Sequence, residues 1–336
     1  MPTTLHLTIC SCSCAFYLNT TTLSFEFGRF TGIGGNITPL VVAPPISGVY
    51  DGIAAGAENG EFVSGVGSTA IVVINWVLNS STMYSVAPPA GYTQPAFVRD
   101  LGTDWSGSRP SLVALLTDDD IAARQQRQRS SFATAPRDRG PTANHWWLLA
   151  SIDTTSGVAT ALRNVSGEMN LEQIKYGSFA FDSSRRVAWM VGWTTSANLT
   201  LTLLGLPASA SATPPEAIAF VGEWYDCVAL LYSEHFDALI ALATYHNTTK
   251  QPMVWVVRDA STPSGWRPLF AYPVGTVAHP AMGNAATERS GTIVATLLLD
   301  LDTDSQVVSY VDLVSGVELS RSAIADHVTI ADFAFC

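Results

Sequence analysis

Apolar and polar positions along the 336 residues fall into short runs that recur in one order. Six segments read as an apolar strand, a tight polar turn and a second apolar strand. They are 15–18 with 22–27, 71–78 with 82–87, 146–152 with 158–162, 187–193 with 198–204, 238–245 with 253–257, and 292–301 with 307–311. Apolar–polar alternation, β-branched residues in the runs and Asn, Asp, Ser, Thr or Gly between them predict six β-hairpins. Each hairpin after the first is preceded by a further short strand, at 46–53, 111–117, 176–181, 227–232 and 280–284. Most are followed by another apolar stretch, such as 37–42, 217–221, 269–273 or 317–324. No stretch reads as a long helix.

Strand, hairpin, strand makes a four-stranded antiparallel blade, and its regular recurrence predicts an all-β, six-bladed β-propeller. A pair of β-sandwiches would not predict so regular a spacing. The first hairpin lacks a preceding strand, and the last stretch, 327–336, is a strand with no hairpin after it. Ile330-Ala331-Asp332-Phe333-Ala334-Phe335-Cys336 has the pattern of Tyr176-Gly177-Ser178-Phe179-Ala180-Phe181-Asp182, an expected inner strand. The C-terminal strand is therefore expected to pair with the N-terminal strands, closing one ring over 1–336 and removing open sheet edges. One segment interrupts the rhythm: 118–144, with Arg124, Arg127, Arg129, Arg137 and Arg139 among Gln, Ser and Pro, reads as an exposed insertion loop.

Ser151-Ile152-Asp153-Thr154-Thr155-Ser156-Gly157-Val158 and Tyr310-Val311-Asp312-Leu313-Val314-Ser315-Gly316-Val317 share an Asp-x-x-x-Gly turn. They resemble the outer hairpins of β-propellers in general, especially the six-bladed and quinoprotein-like kinds. The resemblance spans the chain but implies a fold rather than an activity, because the sequence has neither WD dipeptides nor kelch glycine pairs.

Composition narrows the setting. With 47% hydrophobic and 13% charged residues, the chain can bury a large core. Its net charge is −11, and Lys175 and Lys250 are its only lysines. An acidic chain without a basic stripe argues against nucleic acid and anionic membrane as partners. No apolar run has the length of a membrane helix. Asn-X-Ser/Thr sequons occur at Asn19, Asn36, Asn79, Asn164, Asn198 and Asn247. With 11 Asn and 65 Ser plus Thr in 336 residues, chance gives about two. The excess predicts N-glycans and an extracellular or cell-surface location. Residues 5–18 have the character of a signal h-region but follow no basic residue, so the expected leader is missing or misassigned at this start.

Cys10, Cys12 and Cys14 alternate and so share one face of a strand. Cys336 lies on the strand expected beside them, and a disulfide between it and one of the three would lock the ring. The spacing is poor for tetrahedral zinc. Cys227 is left over, either buried or free to bridge to another chain. Asp51, Asp118, Asp182, Ser233 and Asn284 occupy similar places near the ends of expected inner strands. Such a ring of polar groups could bind a cation or a sugar, although Asp, Ser and Asn are also ordinary turn formers. His6, His145, His235, His246, His279 and His327 lack metal spacing, and no nucleophile–base pair accompanies Glu234-His235. The Trp146-Trp147 pair could stack on sugar rings or belong to the core. No cofactor motif is found. These features predict a non-catalytic secreted glycoprotein that self-associates as a subunit of an extracellular coat or filament. The alternatives are a monomeric module binding glycan or protein, and a propeller hydrolase or lyase acting on polysaccharide.

Overall fold

The computed structural model describes residues 13–19, 21, 24–31, 36–42, 54–55, 61–65, 69–118, 145–166, 171–194, 201–209, 216–219, 224–245, 253–259, 261, 265–278, 285–288, 290–325 and 328–335. Their strands form six antiparallel sheets. The first joins β1 (Ser13–Asn19), β2 (Ser24–Thr31) and β3 (Asn36–Val42) to the last strand of the chain, β25 (Val328–Phe335), in the order β25-β1-β2-β3. The second runs β4 (Ala54–Ala55), β5 (Glu61–Ser64), β6 (Ala70–Asn75), β7 (Ser80–Ser85). The third is β8 (Phe97–Asp104), β9 (Ser111–Thr117), β10 (Trp147–Ile152), β11 (Ala159–Asn164). The fourth is β12 (Leu171–Asp182), β13 (Val187–Thr194), β14 (Leu201–Pro207), β15 (Glu216–Ala219). The fifth is β16 (Trp224–Ser233), β17 (Ala238–Tyr245), β18 (Val254–Arg258), β19 (Trp266–Ala271). In the sixth, β20 (Thr276–Ala278) and β21 (Ala285–Thr287) both pair with β22 (Ile293–Asp300), followed by β23 (Ser305–Asp312) and β24 (Val317–Ala323).

The core lies between consecutive sheets. Val63, Ile71 and Val73 of the second meet Leu112, Leu148 and Ile152 of the third. Val113, Leu115 and Leu149 meet Phe179, Met190 and Leu204. Trp189 and Leu203 meet Leu230 and Val256, and Trp255 and Leu242 meet Val294 and Val311. Tyr17, Phe30 and Ile330 of the first sheet meet Ala295, Leu297 and Tyr310 of the sixth. Phe27 of the first and Phe62 of the second are 5.3 Å apart between ring centroids. Central strands covered on both faces need near-continuous apolar runs, as in Leu201-Thr202-Leu203-Leu204-Gly205-Leu206, every residue of which is buried. The all-β propeller expectation therefore stands.

The C-terminal strand pairs antiparallel with β1, from Ser13 opposite Phe335 to Asn19 opposite Val328, with an irregularity at Phe16 and Tyr17. Tyr17 donates to Glu26 across the β1–β2 pair at 2.6 Å, and burial raises the phenol's pKa above its ordinary value.

Several expected strand placements need correction. In the second sheet β5 was missed, so the segment around Asn79 is the outer pair rather than the middle one; 46–53 lies outside the described residues. In the third, 111–117 is the second strand and β8 is the innermost. Phe97-Val98-Arg99-Asp100-Leu101-Gly102-Thr103-Asp104 did not read as a buried strand because it carries three charged residues, all buried. The 118–144 segment thus follows the second strand, not the inner one, and 119–144 lies outside the described residues. The blades are not uniformly four-stranded: the sixth sheet has five strands, its inner position being shared by β20 and β21, while 280–284 lies outside the described residues.

The two Asp-x-x-x-Gly turns are alike in detail. The Asp153 carboxylate accepts from Thr155 N at 2.8 Å and Ser156 Oγ at 2.8 Å, and that of Asp312 accepts from Val314 N at 2.9 Å and Ser315 Oγ at 2.7 Å. Gly157 and Gly316 follow at φ 74° and 65°, a region that costs other residues strain. At Gly157 an added Cβ would lie 2.5 Å from Ser85 O, so this glycine also lets the turn sit against β7 of the preceding sheet.

Gly205 faces Trp189 across the β13–β14 pair, and a Cβ there would fall 2.6 Å from the indole ring. Gly205→Ala is expected to lose about 1–3 kcal/mol, because the ring is walled in by the core between the fourth and fifth sheets. Chemical denaturation of the two proteins checks this; an unchanged midpoint would mean that the ring moves freely.

Candidate functional site

The innermost strands β8, β12 and β16 end on one face of the ring, where their turns interlock. Trp105 N donates to Ser183 Oγ at 2.8 Å. Arg186 reaches Asp104 at 3.3 Å. Arg185 spans Asp182 at 2.9 Å and Asp237 at 2.8 Å, and Tyr232 donates to Asp237 at 2.6 Å. These partners hold the Asp237 carboxyl below its ordinary range and raise the Tyr232 phenol to about 12, with burial the larger cause for the phenol. Ser233 Oγ donates to Gly291 O at 3.0 Å, and Glu288 accepts from Ser290 and Thr292. The carboxylates of Asp104, Asp182, Asp237 and Glu288 are each committed to holding one sheet's turn against its own or the next.

This arrangement resolves the expected ring of polar residues. Asp182 and Ser233 do occupy equivalent places, but their counterpart in the third sheet is Asp104. Asp118 follows Thr117, which pairs with Phe97 at the start of β8, so it belongs to the opposite face. There it accepts from Trp146 N at 3.0 Å and meets His145 Nδ1 at 3.1 Å, joining the two ends of the insertion. Asp51 and Asn284 lie outside the described residues. Asp118 and Asp182 therefore do not converge on a cavity. The Trp146-Trp147 pair is no platform either: Trp146 packs on Tyr92 and donates to Thr93, while Trp147 is buried.

Among the cysteines only Cys227 is described with its side chain. Cys227 is fully buried and its thiol donates to Ala229 O, which removes it as a link to another chain. Cys10, Cys12 and Cys336 lie outside the described residues, and Cys14 is placed only as a backbone position opposite Ala334. Of the sequons, Asn79 is exposed in the β6–β7 turn, and Asn164 is exposed at the end of β11 with its Oδ1 accepting from Ser166 Oγ at 2.7 Å. Asn19 and Asn36 sit at the last position of β1 and the first of β3, while Asn198 and Asn247 lie outside the described residues.

Sequence reading missed two features. The first is a cleft of about 520 Å³ on the girdle face, between the second and third sheets. Ser80, Thr82 and Tyr84 stand on one face of β7 by the two-residue period and form one wall. Glu61, in register with Asn75 on β6, adds a carboxylate. The opposite wall is Ser151, Thr154 and the Asp153 turn. Thr154 donates to Glu61 at 3.4 Å across the gap, and the Asp153 hydrogen bonds hold its carboxyl below the usual range. Polar strand residues at 80–84 were the available signal: burial alternates weakly there because the facing sheet stands away.

The second is Asp100, buried beside Arg99 with Nη1 3.0 Å from its carboxylate, at a bulge of the innermost strand β8. Burial raises the Asp100 carboxyl to about 6, only partly offset by Arg99.

No protein-family model and no curated protein matches the chain. Among solved structures it is similar to a putative TolB from Agrobacterium tumefaciens, at 10% identity over 97% of this chain and 90% of that one, with a TM-score of 0.50. It is also similar to a periplasmic gluconolactonase of Pseudomonas aeruginosa, at 10% identity over 97% and 98%, with a TM-score of 0.47. The first likeness shows the β-propeller fold. The expected glycoprotein coat or filament subunit is thereby corrected. The fold is shared with the putative TolB of a bacterium, and the C-terminal strand pairs with the N-terminal strand of its own chain.

A native carboxyl titrating above its unfolded value contributes most to stability at low pH, and the contribution falls as pH rises from about 4 through 6. Wild type is expected to lose on the order of 2–3 kcal/mol relative to Asp100→Asn between pH 4 and 7. Denaturant midpoints of both proteins across that range check it, since the other carboxylates are common to both. Parallel curves would refute the shift.

Proposed function

We propose that this chain is a six-bladed β-propeller that binds a saccharide in the cleft between its second and third sheets and works outside the cytoplasm. One sheet per blade supports the count, with apolar contacts joining each sheet to the next and the sixth to the first. The observation that carries the binding reading is the cleft lining. Hydroxyls of Ser80, Thr82, Ser151 and Thr154 and the carboxylates of Glu61 and Asp153 surround apolar Leu78, Pro110 and the Tyr84 ring. Sugars present the matching chemistry, hydroxyl edges for the polar groups and C–H faces for the apolar ones. Binding rather than turnover is favoured because Asp153 is spent on its own turn and Glu61 already accepts from Thr154. An exported location suits a protein whose ligand is a polysaccharide, and cell fractionation tests it.

Calorimetric titration with neutral and acidic oligosaccharides tests the site. Thr82→Trp, filling the cleft from an exposed position of β7, is expected to abolish binding, whereas Met83→Trp on the other face leaves it unchanged. Equal binding by both variants would move the site elsewhere, and no binding of any oligosaccharide would end the saccharide reading.

A further inference from the structure

We infer that the ligand of this cleft is an acidic saccharide whose carboxylate is bound by Arg109; this rests on the proposed saccharide reading and sharpens it. Arg109 lines the cleft from the β8–β9 turn. Most other described arginines are committed: Arg99 to Asp100, Arg185 to Asp182 and Asp237, Arg186 to Asp104, Arg267 to Asp259 and Arg321 to Glu318. Arg163 donates to Pro207 O and Ser209 O. Arg109 has no hydrogen-bond or ion-pair partner among the described residues, although the same cleft holds Glu61 and Asp153.

In a chain of net charge −11, this exposed guanidinium is the only cationic side chain among the cleft's lining residues, and with no ion pair to a described residue it is open to an anion from outside. Neither carboxylate forms an ion pair with Arg109; each instead accepts from Thr154, Thr155 or Ser156 on the wall formed by the third sheet's outer turn, with acceptor sites left over. A guanidinium offers paired N–H donors matched to a carboxylate. Glu61 and Asp153 repel that same carboxylate and accept from sugar hydroxyls instead. The ligand is thus oriented, its acid group toward Arg109 and its hydroxyls toward the Asp153 turn. A uronic acid residue has this polarity.

The experiment compares a galacturonic acid pentamer with its methyl ester by calorimetry at low ionic strength, using wild type, Arg109→Gln and Arg109→Lys. Wild type is expected to bind the free acid about tenfold more tightly than the ester. Arg109→Gln should remove that preference while keeping ester binding, and Arg109→Lys should restore part of it. Equal affinity of wild type for acid and ester would overturn the acidic assignment and leave the saccharide cleft standing. A preference that survives in Arg109→Gln would overturn Arg109 as the anchor. Failure of both ligands to bind, with neutral oligosaccharides also inert, would remove the saccharide reading together with this inference.

Discussion

The antiparallel pairing of β25 with β1 is the constraint on which the other contacts depend. A propeller has no central core. Each sheet buries its two faces against its two neighbours, so a ring with one gap leaves two apolar faces in water. Pairing residue 13 with residue 335 closes that gap through a backbone hydrogen-bond ladder, because strands from both ends of the chain then share one sheet. The same strand also packs outward from that sheet: Val328 and Ile330 lie in the cluster that contains Ala295, Leu297 and Tyr310. Loop-closure entropy grows only logarithmically with chain length, so a join between such distant residues is not prohibitive once the intervening sheets are stacked.

Apolar contact between sheets is non-directional and would tolerate sliding, so a second kind of interaction fixes the stagger. Arg185 and Ser184 reach Asp237 of the next sheet, Trp105 N reaches Ser183, and Ser233 Oγ reaches the carbonyls of Ser290 and Gly291. Gly291 can take this position only without a side chain, since a Cβ would lie 2.5 Å from the Ser233 Cα, and its φ is 71°. At the outer edge the Asp153 turn adds another fastening, with Ala159 N donating to Ala87 O at 2.8 Å. A buried network does the same between the fifth and sixth sheets. Trp255 donates to Tyr272, which donates to Thr296, and the Arg321 guanidinium lies over the Tyr272 ring. Buried hydrogen bonds that leave donors unmatched when displaced impose register in a way that apolar surface does not.

What could be read from the sequence follows from this division. Strands covered by apolar neighbours on both sides, such as 201–206 or 238–243, announce themselves. Asp153 and Asp312 could be recognised because an Asx turn ending in a left-handed glycine is a local device, independent of the rest of the chain. The innermost strand β8 was hidden, because its three charges read as solvent-exposed, whereas Arg99 pairs with Asp100 on the strand and Asp104 finds Arg186 only once the next sheet has packed against it. Equivalence of Asp118 with Asp182 was a misreading of the same origin: with β8 unseen, its neighbour β9 took the inner place and every end in that sheet was reversed. The cleft was illegible for a related reason. It comprises Ser80, Thr82 and Tyr84 of one sheet and a turn of the next, brought together by packing and not by proximity in sequence.

The cleft's position is itself a consequence of how the sheets meet. Blades radiate from the axis, so facing sheets separate toward the rim, and the gap must be filled by larger side chains or by inserted turns. Between the second and third sheets the inner part is filled by Val63, Leu101, Leu112 and Ile152. Farther out, β7 presents short hydroxyl side chains at 80 and 82, and the Asp153 turn enters from the third sheet but is stopped at Gly157 by Ser85. Larger apolar residues at 80 and 82 would have closed this gap and extended the core by the hydrophobic gain that fills the rest of it. Small polar residues there give up that gain and leave room for a hydroxylated molecule. Arg109, lining the cleft without an ion-pair partner among the described residues, gives it a polarity that packing alone does not require.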